Sequence, residues 1–65
     1  IVGLNIYDLS GREIKKITKF FYQPGVAQMS WFAEDKNGNN VVTGTYIYEL
    51  IYNQNIERGK IVYLK

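Results

Sequence analysis

The segment from Thr45 to Tyr52 constrains the fold of this 65-residue chain more than any other feature. Its side chains alternate with a period of two, which is typical of a β-strand. One side carries Tyr46, Tyr48, Leu50 and Tyr52, and the other carries Thr45, Ile47, Glu49 and Ile51. Because both sides carry bulky residues, we predict a central strand that is buried on both faces.

Other segments show the same strand-like alternation. Ile1 to Leu9 and Arg12 to Thr18 predict a hairpin around a turn that starts at Asp8. A third strand is predicted from Val26 to Phe32, and a last strand from Ile56 to Lys65 follows an Asn-Gln-Asn turn. No segment combines helical periodicity with capping residues. The chain is therefore predicted to be all-β and antiparallel, with about five strands.

Aromatic side chains supply much of the predicted core. The chain has six Tyr, three Phe and one Trp, but no Cys to staple the fold. A chain of this length buries only about 60% of the surface that it exposes when unfolded. We therefore predict a dense aromatic core, or a fold completed by something outside these residues. The predicted core residues are Trp31, Tyr46, Tyr48, Leu50 and Ile6.

The composition argues against an enzyme. Because Cys and His are both absent, thiol and imidazole catalysis and most transition-metal sites are excluded. Glu34 and Asp35 are adjacent on a turn, which does not aim two carboxylates across a substrate. No apolar run approaches the roughly 20 residues of a membrane span. We predict one non-catalytic domain over residues 1–65, with no cofactor and no membrane span.

One pattern resembles a cation site. Asp35, Asn37 and Asn39 alternate around Gly38, as oxygen ligands do in calcium loops. The pattern lacks a distant bidentate glutamate, and only one of its ligands is charged. Asn and Gly also tolerate left-handed backbone, and Asp binds its own loop. We therefore predict a turn, with calcium binding as the weaker alternative.

The basic residues do not predict a nucleic-acid partner. The net charge is only +2, and the one local cluster consists of Lys15, Lys16 and Lys19. Lysines on a strand commonly protect a sheet edge from unwanted pairing. The aromatic run from Phe20 to Tyr22 is expected to plug the core or to form a contact surface.

Three parts of the chain resemble the FlgD-like immunoglobulin-type domains, which overlap in sequence with the C-terminal sorting domains of the type IX secretion system. Asn5 to Ile14, Asn-Ile-Tyr-Asp-Leu-Ser-Gly-Arg-Glu-Ile, resembles the hairpin motif of that family. Trp31 to Tyr46 resembles its central motif, which Tyr48 and Leu50 continue, and Gly59 to Lys65 is similar to its terminal motif. The central motif is matched by Trp31, Asp35, Asn37, Gly38, Val41, Gly44 and Tyr46.

The resemblance implies a small immunoglobulin-like β-sandwich, secreted or at the cell surface, at the C-terminal end of a larger bacterial protein. Such modules serve as secretion-sorting or surface-anchoring domains. Family members usually carry a leading strand upstream of the hairpin, and we expect this sandwich to lack it. The open strand edge would then pair with a second copy in a dimer, through a swapped strand, or with an upstream segment supplied by the parent protein.

The last strand is the expected contact region for the secretion machinery. Edge hydrogen bonds together with Arg58, Lys60 and Lys65 would form the contact. Two alternatives stay open at this point: an assembly-scaffold domain of a flagellar hook-capping protein, and a carbohydrate- or protein-binding module that uses Phe20 to Tyr22.

Overall fold

One antiparallel sheet forms the frame of the molecule. A computed structural model describes residues 1–19 and 29–65. The strands are β1 (Val2–Tyr7), β2 (Glu13–Lys19), β3 (Gly44–Tyr52) and β4 (Asn55–Tyr63). Their order across the sheet is β2-β1-β3-β4, and every neighbouring pair is antiparallel. The predicted all-β class is confirmed, and the described segments include no helix able to cross a membrane.

The predicted third strand is wrong over its described residues. Residues 29–32 are not in a strand, while 26–28 lie outside the described part of the chain. The indole N–H of Trp31 donates to the carbonyl of Glu34 at 2.8 Å, and Ala33 between them has a φ of 58°. Residues 29–32 pair with no strand of the described part of the chain, and the left-handed Ala33 turns the chain directly after them.

The core lies on one face of the sheet, called here the core face. Its buried residues are Leu4, Ile6, Ile14, Val41 and Tyr46, and Ile6 is fully buried. Leu4 and Ile6 lie opposite Leu50 and Tyr48 in the β1–β3 register. Because alternate residues of a strand point to the same face, all four side chains lie on the core face. Trp31, Tyr48 and Leu50 are half-buried and pack against this cluster.

Trp31, a predicted core residue, is therefore only half-buried and packs against the buried cluster. Its ring meets Tyr46 edge to face, with centroids 5.4 Å apart. The Tyr46 hydroxyl donates to the carbonyl of Val42 at 2.6 Å. Both aromatic polar groups are thus satisfied while their rings stay in apolar contact.

A bulge in the β1–β2 pair places Ile14 in the core. Ile6 pairs with Lys15 and Tyr7 pairs with Glu13, which leaves Ile14 as the extra residue. An extra residue interrupts the strict alternation of side chains. Ile14 is buried in the core cluster, and the Nζ of neighbouring Lys15 donates to the carbonyl of Asp35 at 3.5 Å.

A polar row crosses the other face of the sheet, called here the polar face. Asn5, Glu49 and Arg58 lie side by side on β1, β3 and β4. The Asn5 amide donates to Glu49 at 3.3 Å, and Arg58 Nε donates to the other carboxylate oxygen at 2.9 Å. Asn5 is 7% exposed, so its bond to Glu49 satisfies a polar group that is nearly buried.

Candidate functional site

The edge strand β4 is the candidate functional site, and its geometry begins at the turn that precedes it. Tyr52 pairs with Asn55, and the two turn residues have positive φ values, 46° at Asn53 and 66° at Gln54. Positive φ at both central residues identifies a two-residue type I′ turn. In such a hairpin the pair beside the turn is hydrogen-bonded, and hydrogen-bonded pairs then alternate with non-bonded ones.

This alternation fixes which backbone groups of β4 point away from the sheet. Residues 55, 57, 59, 61 and 63 bond to β3, so the outward N–H and C=O groups belong to the residues between them. Those residues are Ile56, Arg58, Lys60 and Val62. Within residues 1–19 and 29–65 no strand pairs with this side of β4. Unpaired groups along a strand edge are a template for another strand.

The side chains of these four residues share the polar face. The half-buried residues of β4 are Gly59, Ile61 and Tyr63, and Ile61 and Tyr63 pack against the core. Side chains alternate along a strand, so the four exposed residues that alternate with this set lie on the polar face. These residues are Ile56, Arg58, Lys60 and Val62. The outward edge therefore presents an apolar, a cationic, a cationic and an apolar residue in succession.

The other edge of the sheet, β2, is built differently. It carries Lys15, Lys16 and Lys19, and its pairing with β1 is broken by the bulge at Ile14. Lysines and bulges are both devices that discourage a second strand from pairing. By contrast, β4 pairs with β3 over nine consecutive residues without a register shift. The sheet thus has one protected edge and one regular edge.

Electrostatics distinguishes the charged residues of the β3–β4 hairpin. Arg58 forms an ion pair with Glu49, and this contact, with help from Asn5, lowers the pKa of the Glu49 carboxyl below its ordinary value. The Tyr52 hydroxyl donates to Glu57 at 3.0 Å, which raises the pKa of Tyr52. Lys60 has no ion pair within the described residues.

Of the three predicted contact residues, the structure places only two on the same strand. Arg58 and Lys60 are exposed neighbours on the polar face of β4, whereas Lys65 lies beyond the end of the strand. The backbone N–H of Lys65 donates to Thr43 Oγ1 at 3.2 Å. The sequence analysis did not predict Ile56 and Val62 as contact residues. Their alternation with Glu57 and Ile61 indicates that they lie on the same face as Arg58 and Lys60. Whether these residues bind a partner stays a prediction.

Asp35 uses its carboxylate within its own loop. Its Oδ1 accepts the backbone N–H groups of Asn37 at 2.9 Å and Asn39 at 3.0 Å. The N–H of Gly38, with a φ of 84°, donates to the Asp35 carbonyl at 3.0 Å. This is the turn chemistry that the sequence predicts. Calcium binding at Asp35, Asn37 and Asn39 stays a prediction.

The other carboxylates do not converge on a common point. Asp8 binds Arg12, Glu49 binds Arg58, and Glu57 binds Tyr52. In the part of the chain that the structure describes, no three acidic residues are grouped so that they could hold a metal ion. Two clefts of about 280 and 270 Å³ adjoin the Asp35 loop, and Arg12, Ile14 and Asp35 line both.

A third cleft, of about 360 Å³, opens on the core face. It is lined by Leu4, Met29, Trp31, Tyr48, Leu50 and Ile61. Among its described lining residues, Tyr48 supplies the only polar side chain besides the Trp31 indole, whose N–H is already bonded to Glu34. These residues can accept apolar groups but include no charged group for acid–base chemistry. The predicted aromatic contact surface at Phe20 to Tyr22 lies outside the described residues.

Comparisons with family models, with curated proteins and with solved structures found no match to this chain. The resemblance to FlgD-like and sorting domains therefore stays a prediction, and so do the non-catalytic role and the location outside the cytoplasm.

Proposed function

We propose that this chain is a non-catalytic accessory module of a larger exported bacterial protein, and that it acts as a secretion-sorting or surface-anchoring domain. The observation that carries the proposal is the regular outer edge of β4, with which no strand in residues 1–19 and 29–65 pairs. A module recognised by export machinery needs an accessible surface, and an edge strand offers backbone hydrogen bonds together with alternating side chains.

The motif residues that suggest the FlgD-like family have structural roles consistent with such a module. Tyr7 ends β1, Asp8 binds Arg12 at 3.2 Å, and Gly11 takes a φ of 91° in the turn. These motif residues form the turn of the β1–β2 hairpin. A partner would therefore contact a different part of the domain, and we place that contact on β4. The proposed complete fold is a small immunoglobulin-like sandwich of which the described sheet would be one layer.

Charge on the edge strand supports a protein partner. Arg58 and Lys60 are exposed on one face, and their apolar neighbours Ile56 and Val62 are 53% and 66% exposed. Mixed apolar and charged residues on an accessible strand suit a specific protein contact better than a sugar platform, which needs coplanar aromatic rings. We therefore place the export contact on β4, with Lys65 as an additional basic residue beside it.

An export assay tests the proposal. The chain would be fused to the C-terminus of a passenger protein that carries a signal peptide, in a bacterium with a type IX secretion system. We expect the passenger at the cell surface or in the medium. An Arg58→Glu, Lys60→Glu double variant should reduce export about tenfold, because both cations on the outer edge of β4 are reversed in charge. Circular dichroism of the variant checks that the sheet remains folded without the Arg58–Glu49 ion pair.

Lys16→Glu is the matched control, since Lys16 lies on the polar face of the opposite edge strand. It should leave export within about twofold of the parent fusion. Retention of the unmodified fusion in the periplasm would overturn the proposal, as would equal export of the parent and the double variant.

A further inference from the structure

The outer edge of β4, which pairs with no other strand in the described part of the chain, carries side chains that specify its partner. The outward backbone groups belong to Ile56, Arg58, Lys60 and Val62, as the type I′ turn requires. Residues that face one another across an antiparallel pair lie on the same face of the sheet. A strand added to β4 would therefore place its own side chains directly beside these four on the polar face.

The two central residues on this edge are both cationic, but only one of them has an ion-pair partner in the described part of the chain. Arg58 already contacts Glu49 through Nε at 2.9 Å, yet its side chain is 67% exposed. Lys60 has no ion pair in the described parts of the chain and lies opposite Ile47. Opposite charges directly across a strand pair stabilise it, and like charges destabilise it.

We propose that β4 accepts an extended acidic segment as an additional strand. That segment carries two Asp or Glu residues at alternate positions, facing Arg58 and Lys60, with apolar β-branched residues on either side facing Ile56 and Val62. The inference rests on the proposed function, because it names the chemistry of the partner that β4 would engage.

The backbone geometry suits this partner. Alternate residues of a strand are about 6.6 Å apart, so two carboxylates separated by one residue match the spacing of the two cations. The partner's main chain would bond to the outward N–H and C=O groups, which supply affinity, while the carboxylates supply selectivity. Glu57 does not oppose the acidic segment, because it lies on the core face of β4 and accepts a hydrogen bond from Tyr52.

A second copy of this chain is a poorer occupant of the edge. If two β4 strands paired about a twofold axis at Gly59, Arg58 of one copy would face Lys60 of the other. An axis at Arg58 or Lys60 would place that residue opposite the same residue of the second copy. Each central register thus brings like charges together, which costs pairing free energy. An acidic partner avoids this repulsion in every register that covers both cations.

Short synthetic peptides test the proposal. The probe has the sequence Val-Thr-Glu-Thr-Glu-Thr-Val, whose side-chain pattern is the same in both directions, so it fits either strand orientation. The matched control replaces both Glu residues by Lys. We expect the acidic peptide to bind and to shift the backbone NMR signals of residues 56–62, with affinity that falls as salt is added. The basic peptide should bind at least tenfold more weakly.

Variants at Lys60 distinguish the contribution of its charge to peptide binding from that of its backbone N–H. Lys60→Gln should weaken binding of the acidic peptide about threefold, and Lys60→Glu should remove the preference between the two peptides, because Arg58 still attracts the acidic one. Lys60→Pro removes an outward N–H without removing a bond to β3, and should abolish binding while the circular dichroism stays that of a folded sheet. Lys16→Glu, on the other edge, should bind the acidic peptide as the parent does.

Several results would overturn the proposal. These are equal binding of both peptides, shifts confined to β2 or to the apolar cleft, and a dimer of the chain alone at micromolar concentration in sedimentation. The outcome is also separable from the export assay. Peptide binding without export would reject only the sorting function, whereas export without any preference for the acidic peptide would reject only this partner chemistry.

Discussion

Two loops of the chain share one backbone design but are held in place by different means. In loop 8–12 and loop 35–39, the leading Asp accepts the N–H groups of the residues two and four positions later. The Asp N–H donates to the carbonyl four positions later, at 3.0 Å in the first loop and 2.8 Å in the second. The glycine at the fourth position has a φ of 91° or 84°.

The difference lies in what surrounds each loop. Loop 8–12 is closed by its own side chains: the Ser10 hydroxyl donates to Asp8 at 2.6 Å, and Arg12 Nε donates at 3.2 Å. Loop 35–39 is anchored from outside by the Trp31 indole and the Lys15 ammonium, which bond to the carbonyls of Glu34 and Asp35. The same local sequence chemistry thus serves one self-contained turn and one turn that depends on tertiary contacts.

The largest expected effect tests that dependence. Trp31→Ala removes the packing on Tyr46 and the bond to the carbonyl of Glu34. We expect a loss of about 2–3 kcal/mol in the free energy of unfolding, because half-buried aromatic area and an anchor are lost together. Urea unfolding followed by circular dichroism measures it. NMR should show changes at residues 35–39 but not at 8–12.

Phe32→Ala is the control for that variant, because the neighbouring ring is 77% exposed. Its free energy of unfolding should stay within about 0.5 kcal/mol of the parent. Equal losses in the two variants, or equal NMR changes in both loops, would contradict the proposed difference in anchoring.

The shared backbone design predicts similar effects at the two loop glycines. Gly11→Ala and Gly38→Ala each force a side chain into a left-handed conformation, with an expected cost of about 1–2 kcal/mol. A Cβ at either position would meet no close neighbour, so the cost reports backbone strain alone. Thermal melts compare the two variants. Gly44→Ala, where φ is not positive and space is open, serves as the control and should be nearly neutral.

A smaller effect concerns acid stability of the self-contained loop. The Ser10 hydroxyl, followed by the Arg12 contacts, lowers the pKa of Asp8 below its ordinary value of 3.8. Asp8 therefore stabilises the fold above pH 3.8, and this contribution is lost as the pH falls through the lower folded-state pKa. Ser10→Ala should raise the pKa of Asp8 toward 3.8, as measured by NMR titration of its carboxyl carbon. An unchanged titration would mean that the hydroxyl is not the main cause.

Calcium should have the smallest effect on either loop. Each leading Asp is the only carboxylate of its loop, and its Oδ1 already accepts two backbone N–H bonds, so the loop offers a cation little negative charge. We expect no NMR shift at Asp35, Asn37 or Asn39 at millimolar calcium, with loop 8–12 as the internal reference. Saturable shifts confined to 35–39 would restore the metal hypothesis and show that the two loops differ in chemistry as well as in anchoring.

The sequence predicted most of the sheet, because its strands alternate with a clear period. The central position of β3 and the β1–β2 hairpin follow from that alternation. The predicted burial of β3 on both faces is wrong, because its residues other than Tyr46 are half-buried. Ile6 and Tyr46 are buried as expected. The two-residue turn at Asn53 and Gln54 is shorter than the expected three-residue turn, because Asn55 already pairs with Tyr52.

What could not be predicted depends on interactions between distant residues. The bulge at Ile14 shows no local signal, since it depends on how β1 and β2 align. The segment at Trp31 alternates like a strand, but alternation does not show whether a partner strand is available, and none pairs with residues 29–32 in the described part of the chain. For the candidate site, the cations were visible in sequence. Which strand forms an edge is a property of sheet order, which alternation does not encode.

The tight packing of Tyr48 on Gly59 limits how this surface can evolve. A Cβ at position 59 would overlap the Tyr48 ring, which lies across the strand from it. Substitution of the glycine alone would therefore push the ring away from the apolar cleft that it lines. The two positions are expected to change together in related chains, with a smaller residue at 48 wherever position 59 acquires a side chain. On the polar face of β4 the corresponding constraint is electrostatic, because Arg58 is paired with Glu49.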